Sequence, residues 1–157
     1  IEILIEQSGK QNISCTGNVG YLIRDSINTV MNVIGHSDYS QELENTLVNI
    51  NLPQSSVFKD GPSAGLAILV GIINQLLGHS DLVNHAFTGE ISLSGKILPV
   101  GGIPEKVFGA YMHGISNIFL PSENHFDLSS IPNTIKESMN FHFVSHYEEI
   151  VEQLWTN

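Results

Sequence analysis

The sequence predicts an α+β fold, a compact domain with a mixed sheet. Three observations carry that prediction. Short runs of alternating apolar and polar residues stand at IEILIEQ (1–7), NISCT (12–16) and TLVNINL (46–52). Two helical periodicities, 19–34 and 63–77, separate or follow those runs. Finally, the later short strands mix a hairpin signal with helical crossovers, so no strict βαβ alternation develops.

Taken in order, IEILIEQ and NISCT are expected to pair as a hairpin through the Ser8-Gly9-Lys10 turn. From 19 to 34, Val19, Leu22, Ile23, Ile27, Val30, Met31 and Ile34 share one helical face, and Gly35 supplies the stop. TLVNINL alternates like a half-buried strand. The helix predicted over 63–77 is apolar nearly all round and therefore central, with Gly78 closing it. HAFTGEISL and KILPV, separated by Ser94-Gly95, predict a second hairpin. Two glycines then break the strand, and Ile103-Pro104-Glu105-Lys106 opens a helix, since proline is at home in a first turn. NIFLP and FHFVS are two more short strands, and HYEEIVEQLW is an amphipathic final helix.

At 157 residues this is one domain, 1–157, large enough to bury a core. It opens at Ile1 inside a predicted strand, which suggests a piece excised from a longer polypeptide or a disordered start outside the numbering. Cys15 is the only cysteine, so no internal disulfide forms and a reducing compartment is the easier reading. The longest apolar stretch, 65–77, is too short to span a bilayer and is interrupted by Asn74 and Gln75. Six Lys and Arg against 16 Asp and Glu give a formal charge of −10 without any basic stripe, which argues against direct binding to nucleic acid.

The chemistry concentrates in FKDGPSAG, residues 58–65. Ser63 there has two readings. Serine is a favoured helix N-cap, its oxygen accepting an amide hydrogen. Alternatively the turn presents a hydroxyl: Gly61 permits an unusual backbone, Pro62 fixes the next φ, and Ala64-Gly65 leave space beside it. The helix N-terminus then supplies amide hydrogens to a developing oxyanion. No histidine offers a convincing base, and His142 and His146, four apart on a strand end, lack a third metal ligand. Lysine is the other base that activates serine, provided its pKa is lowered. Of Lys10, Lys59, Lys96, Lys106 and Lys136, only Lys106 follows a Gly-Gly break and a proline at a helix opening. There the helix dipole and partial burial both favour the neutral amine. The competing reading is an exposed first-turn lysine.

Together, FKDGPSAG, TGEISLSGKILPVGG and GGIPEKVFGAYMHGISNIFLPSENHFDL resemble the proteolytic domain of the Lon family of ATP-dependent serine proteases, from about residue 16 to the final helix. The resemblance implies that Ser63 is the nucleophile and Lys106 the general base of a Ser-Lys dyad, and that Thr88, in the TGE triplet, helps hold the lysine. It also implies a fold like the second domain of a small-subunit ribosomal protein, and a homo-hexamer fed with unfolded or damaged polypeptide by an AAA+ ATPase in cis or in trans. No Gly-x-x-x-x-Gly-Lys-Ser/Thr phosphate loop occurs, so the domain itself needs no cofactor and ATP with Mg belongs to the ATPase. The wording of the motif resembles the bacterial and mitochondrial branch, which implies bacterial cytoplasm or mitochondrial matrix and no membrane.

Three positions depart from the family pattern. Phe58 replaces a proline, Asn49 and Asn51 stand where many relatives carry histidines, and Pro104 stands where relatives often place a lysine, leaving Lys106 as the single candidate base. Asp60, beside the turn, either pairs with Lys106 and silences it in an idle state or is a turn-forming aspartate. A non-catalytic Lon-like assembly or regulatory module is the rival function, and retention of both Ser63 and Lys106 argues against it.

Overall fold

The computed structural model describes residues 1–79 and 82–155. Strands β1 (Glu2–Gln7), β2 (Asn12–Thr16) and β3 (Thr46–Asn51) form one sheet, with α1 (Tyr21–Gly35) and the short α2 (Ser40–Leu43) between β2 and β3. A 3-10 turn (Pro62–Ala64) leads into α3 (Gly65–Leu76). Then follow β4 (His85–Phe87), β5 (Glu90–Ile91), β6 (Ile97–Leu98), α4 (Ile103–Met112) and β7 (Asn117–Pro121). A 3-10 run (Ser122–Ser130), α5 (Asn133–Ser138), β8 (Asn140–Val144) and α6 (Tyr147–Trp155) complete the chain. Helices and strands are thus mixed as expected for α+β, and the sheets contain both parallel and antiparallel pairs.

The first expected hairpin does not form. The sheet order is β1-β3-β2, with β3 antiparallel to β1 and parallel to β2. Strand β3 takes the centre because it alternates fully buried with half-buried residues, Val48 and Ile50 being 0% and 2% exposed, whereas β1 and β2 carry mostly exposed or half-buried ones. The linker 8–11 between β1 and β2 then spans two strand spacings, about 10 Å, within reach of four extended residues at roughly 3.3 Å each.

Only part of the second hairpin forms. β5 and β6 pair antiparallel over two residues each, but β4 leaves them to run parallel to β7 in the sheet β4-β7-β8. The cause lies in Thr88 and Gly89. Their amides donate away from any hairpin partner, Thr88 to the Phe119 carbonyl at 3.2 Å and Gly89 to the Ser63 carbonyl at 3.0 Å.

Helix α3 is the hub of the larger core. Leu66, Ile68, Leu69, Val70, Ile72 and Ile73 are all 0–1% exposed, packed among α1, β1 and α6. This follows from its apolar composition on every side. A second core gathers Ile103 and Val107 of α4, Ile118 and Leu120 of β7, and Ile135 of α5. The candidate site lies where α3, from the first core, and α4, from the second, open onto the same cavity.

Candidate active site

Gly61 redirects the chain immediately before Ser63. Its φ of 128° and ψ of 153° lie in a region that side-chain-bearing residues avoid. Pro62, Ser63 and Ala64 then make one 3-10 turn that continues into α3. Ser63 therefore sits inside a turn and does not cap: the capping positions are Gly61 and Ala64, and neither makes a side-chain cap bond. Among the described residues Ser63 Oγ has no hydrogen-bond partner.

The turn is fixed from both sides. On one side the Ser63 carbonyl accepts from Gly89 N–H at 3.0 Å and from Thr88 Oγ1 at 3.2 Å, while Leu66 N–H donates to the Gly89 carbonyl at 3.0 Å. Thr88 is 6% exposed. Its hydroxyl thus secures the serine's backbone, whereas the family resemblance assigns it to the lysine; its side of the cavity adjoins Lys106 as well.

On the other side stand Asp60 and Lys59. Asp60 Oδ1 accepts from Ile23 N–H at 3.2 Å and Gly61 N–H at 3.0 Å, so its carboxylate occupies the N-terminus of α1, where negative charge is favoured. Gly20 leaves room for it, since a Cβ there would lie 2.4 Å from Asp60 Cγ. That is the turn-forming role, with the capping of a distant helix added to it. The idle-state pairing with Lys106 is not the arrangement present: Lys106 Nζ instead donates to the Gly101 carbonyl at 2.8 Å.

Sequence reasoning passed over Lys59. Its Nζ donates to three carbonyls, those of Gly17 at 2.8 Å, Gln54 at 2.9 Å and Val57 at 2.8 Å. Its backbone joins the same strap, with Lys59 N–H on the Asn18 carbonyl at 3.1 Å and Gly20 N–H on the Lys59 carbonyl at 2.8 Å. An ammonium with three donors fits a nest of three carbonyls, and it ties the loop before the Ser63 turn to the entry of α1. The one signal in the sequence was its place inside FKDGPSAG. Lys59→Met, which keeps the stem and deletes the donors, is expected to lower turnover by about tenfold or more through misplacement of the turn. Kinetics on the variant, with Lys59→Arg alongside, provide the check, and the arginine should recover part of the rate.

Lys106 enters from α4. Gly102 in the left-handed region (φ 71°) starts the helix, and Lys106 N–H closes its first turn on the Gly102 carbonyl at 3.1 Å. Burial pushes the Lys106 amine below the ordinary lysine range, and the neighbouring Glu105 carboxylate opposes that only in part. Ser63, Ala64, Thr88 and Lys106 all line one cavity of about 250 Å³. Two residues 43 positions apart in sequence, Ser63 and Lys106, are thereby brought to one space, although no hydrogen bond joins Oγ to Nζ among the described residues.

The departures noted in the sequence have distinct fates. Phe58 is 65% exposed. Asn51 takes part in a polar ladder across the sheet, with Nδ2 donating to Glu2 Oε2 at 2.6 Å and Oδ1 accepting from Thr16 Oγ1 at 2.9 Å. Pro104 borders a separate apolar groove with Phe108 and Ile131. His142 stacks on Phe119 with ring centroids 4.4 Å apart, and His146 contacts the Ser94 carbonyl at 2.8 Å. Among the described residues no three His, Cys, Asp or Glu side chains cluster as metal ligands, and no helix is long and apolar enough to cross a membrane.

Comparison with known proteins gives a consistent result. Residues 1–157 match the family described as the Lon protease C-terminal proteolytic domain. The chain is 34% identical over 160 residues to the mitochondrial Lon protease homolog of Caenorhabditis briggsae, covering 99% of the chain and 16% of that protein. It is 37% identical over 149 residues to the corresponding protein of Caenorhabditis elegans, covering 92% of the chain and 15% of the relative. The Lon protease of Clostridioides difficile strain 630 is 37% identical over 150 residues, covering 92% of the chain and 19% of the relative. The chain thus spans less than a fifth of each of these relatives.

Proposed function

Because the chain belongs to the Lon protease C-terminal proteolytic domain family, we propose that it is a serine endopeptidase working through a Ser63–Lys106 dyad. The observation that carries this reading is the shared cavity. It combines a serine hydroxyl without a capping duty and a lysine whose pKa burial lowers.

In the first step neutral Lys106 Nζ accepts the Ser63 Oγ proton while Oγ attacks the peptide carbonyl carbon, giving a tetrahedral oxyanion and a lysine ammonium. Of the backbone donors from Gly61 to Ala64, Gly61 N–H is already committed to Asp60 and Pro62 has none. The Ala64 N–H falls within the i→i+3 pattern of the 3-10 turn, which leaves the Ser63 N–H as the uncommitted oxyanion donor of this stretch. Collapse breaks the C–N bond, Lys106 returns its proton to the leaving amine, and an acyl-serine remains. Water gives a proton to the same amine as its oxygen adds to the ester carbon, and on collapse the ammonium returns that proton to Ser63 Oγ as the acyl C–O bond breaks, freeing the carboxylic acid and restoring both residues. A neutral amine keeps two N–H donors beside its lone pair, so the contact of Lys106 Nζ with the Gly101 carbonyl is compatible with its acting as the base.

The substrate class in this reading is unfolded or damaged polypeptide, delivered by an AAA+ ATPase in cis or trans to a homo-hexameric chamber. ATP and Mg act in that ATPase and not in this domain. The relatives come from bacteria and mitochondria, which fits the bacterial cytoplasm or the mitochondrial matrix. A non-catalytic assembly module is disfavoured, since it has no need to bring Ser63 and Lys106 to one cavity. The isolated chain is expected to cleave flexible peptides and casein-like chains slowly, with a rate unchanged by ATP, and to leave stably folded proteins intact. Turnover of a fluorogenic peptide and of a folded reporter, each with and without ATP, checks this. ATP-stimulated loss of the folded reporter would refute the division of labour.

A further inference from the structure

The loop 99–102, which leads into α4, belongs to no helix or strand, and its last two residues are glycines without side chains to anchor them. Among the described residues its hydrogen bonds go to two partners. Asn124 holds one end: Val100 N–H donates to Asn124 Oδ1, and Asn124 Nδ2 donates to the Val100 carbonyl, each at 2.9 Å. Lys106 holds the other. Its Nζ donates to the Gly101 carbonyl at 2.8 Å and its N–H to the Gly102 carbonyl at 3.1 Å.

Asn124 suits this task chemically. A primary amide carries a donor and an acceptor side by side, so one side chain satisfies both backbone polar groups of Val100. The residue is 7% exposed and stands in the 3-10 run Ser122–Ser130, which packs against α4. Its second Nδ2 hydrogen goes to Asp127 Oδ2 at 2.7 Å. An ionised carboxylate only accepts, so Asp127 decides which way round the amide sits. The flipped amide would set Oδ1 against two acceptors, the Asp127 carboxylate and the Val100 carbonyl. Neither Asn124 nor Asp127 lines the cavity shared by Ser63 and Lys106.

We propose that Asn124, oriented by Asp127, is a positioning residue for the base: it fixes Val100 so that the next carbonyl, that of Gly101, takes one N–H of Lys106 Nζ and leaves the amine lone pair for the Ser63 proton. The inference rests on the peptidase reading of Ser63 and Lys106. A long lysine side chain has many rotamers, and a fixed acceptor selects among them. The acceptor is only as fixed as its loop. With two glycines following Val100, the Asn124 amide is the anchor that keeps the Gly101 carbonyl in place, and an error of about 1 Å at a reacting group is costly to the rate.

The test has two readouts. The rate at which a fluorophosphonate labels Ser63 is expected to fall by about tenfold in Asn124→Leu and about threefold in Asp127→Ala. Thermal unfolding certifies the fold of each variant; Asp127 is half-buried, so its alanine variant decides the matter if Asn124→Leu does not fold. The second readout is the titration of Lys106 by NMR of lysine-labelled protein, with the signal assigned by its loss in Lys106→Arg. Loss of the carbonyl partner alone favours the neutral amine, but an amine released to water escapes the burial that is the larger cause of its lowered pKa. The midpoint is therefore expected to rise toward the ordinary lysine range in both variants. Removal of the Asp127 charge acting directly would lower it, and a purely structural role would leave it in place. A folded variant that labels at the parental rate, or a Lys106 midpoint that stays or falls, overturns the assignment. The two readings fail separately. A labelled parent with unmoved variants keeps the peptidase and removes the role of Asn124. An unlabelled parent whose variants raise the Lys106 midpoint removes the peptidase and keeps the anchoring of Lys106 by Asn124.

Discussion

Ser63→Ala is expected to lower peptide hydrolysis by about 10⁴-fold or more, since it removes the hydroxyl that forms the acyl intermediate, and the Thr88 hydroxyl in the same cavity is bonded to the Ser63 carbonyl. The variant should fold as well as the parent. Neither cap position of the turn uses a side-chain bond, and Ser63 is held through its carbonyl, which alanine retains. The change in stability should therefore stay within about 0.5 kcal/mol, below the roughly 1 kcal/mol typical of a lost serine cap. Thermal unfolding beside a peptidase assay measures both quantities. A folded alanine variant with substantial activity would remove Ser63 from the mechanism.

The second large effect concerns the base. Lys106 carries an amine whose pKa burial lowers, against the weaker upward pull of Glu105. The reactive form is the neutral one, so activity should rise with pH and level off once the amine is deprotonated, below the ordinary lysine value of about 10.4. The sign is diagnostic. A histidine base would give a limb near 6.5, and a carboxylate base one lower still. Lys106→Met and Lys106→Arg should each lose roughly 10²–10⁴-fold, the methionine for want of a base and the arginine because guanidinium holds its proton. Lys136→Met, at the end of α5 and away from the cavity, should leave the rate almost unchanged.

Sequence legibility followed locality. Helices α1, α3, α4 and α6 were visible because each carries its own apolar period and its own punctuation, such as Gly35 after α1 and Pro104 in the first turn of α4. Strand existence was equally local, but strand pairing was not. Alternation in IEILIEQ and NISCT says that each is a strand and nothing about β3 entering between them. The short α2, the 3-10 run Ser122–Ser130 and α5 escaped notice because polar residues fill them and their burial rests on single anchors such as Leu43 and Ile135.

The site divides in the same way. Ser63 and Lys106 stood out through the unusual company of Gly61-Pro62 and Gly101-Gly102, residues whose backbone demands are written in the sequence. The partners of Asp60 and Lys59 were invisible, since Ile23 lies 37 positions and Gly17 42 positions away and both offer backbone groups, which every residue has. Thr88 lines the same cavity as Ser63 and Lys106, and its hydroxyl donates to the Ser63 carbonyl, again a backbone partner that the TGE triplet does not reveal.

The most direct test of the dyad is the rate at which a fluorophosphonate modifies the intact protein across pH, with peptide mapping by mass spectrometry to locate the adduct. The expected result is one adduct, on Ser63, forming faster as pH rises through the lowered amine pKa and nearly absent in both Lys106→Met and Lys106→Arg. An adduct elsewhere, or labelling of Ser63 at an undiminished rate without the Lys106 amine, would contradict the assignment of these two residues as nucleophile and base.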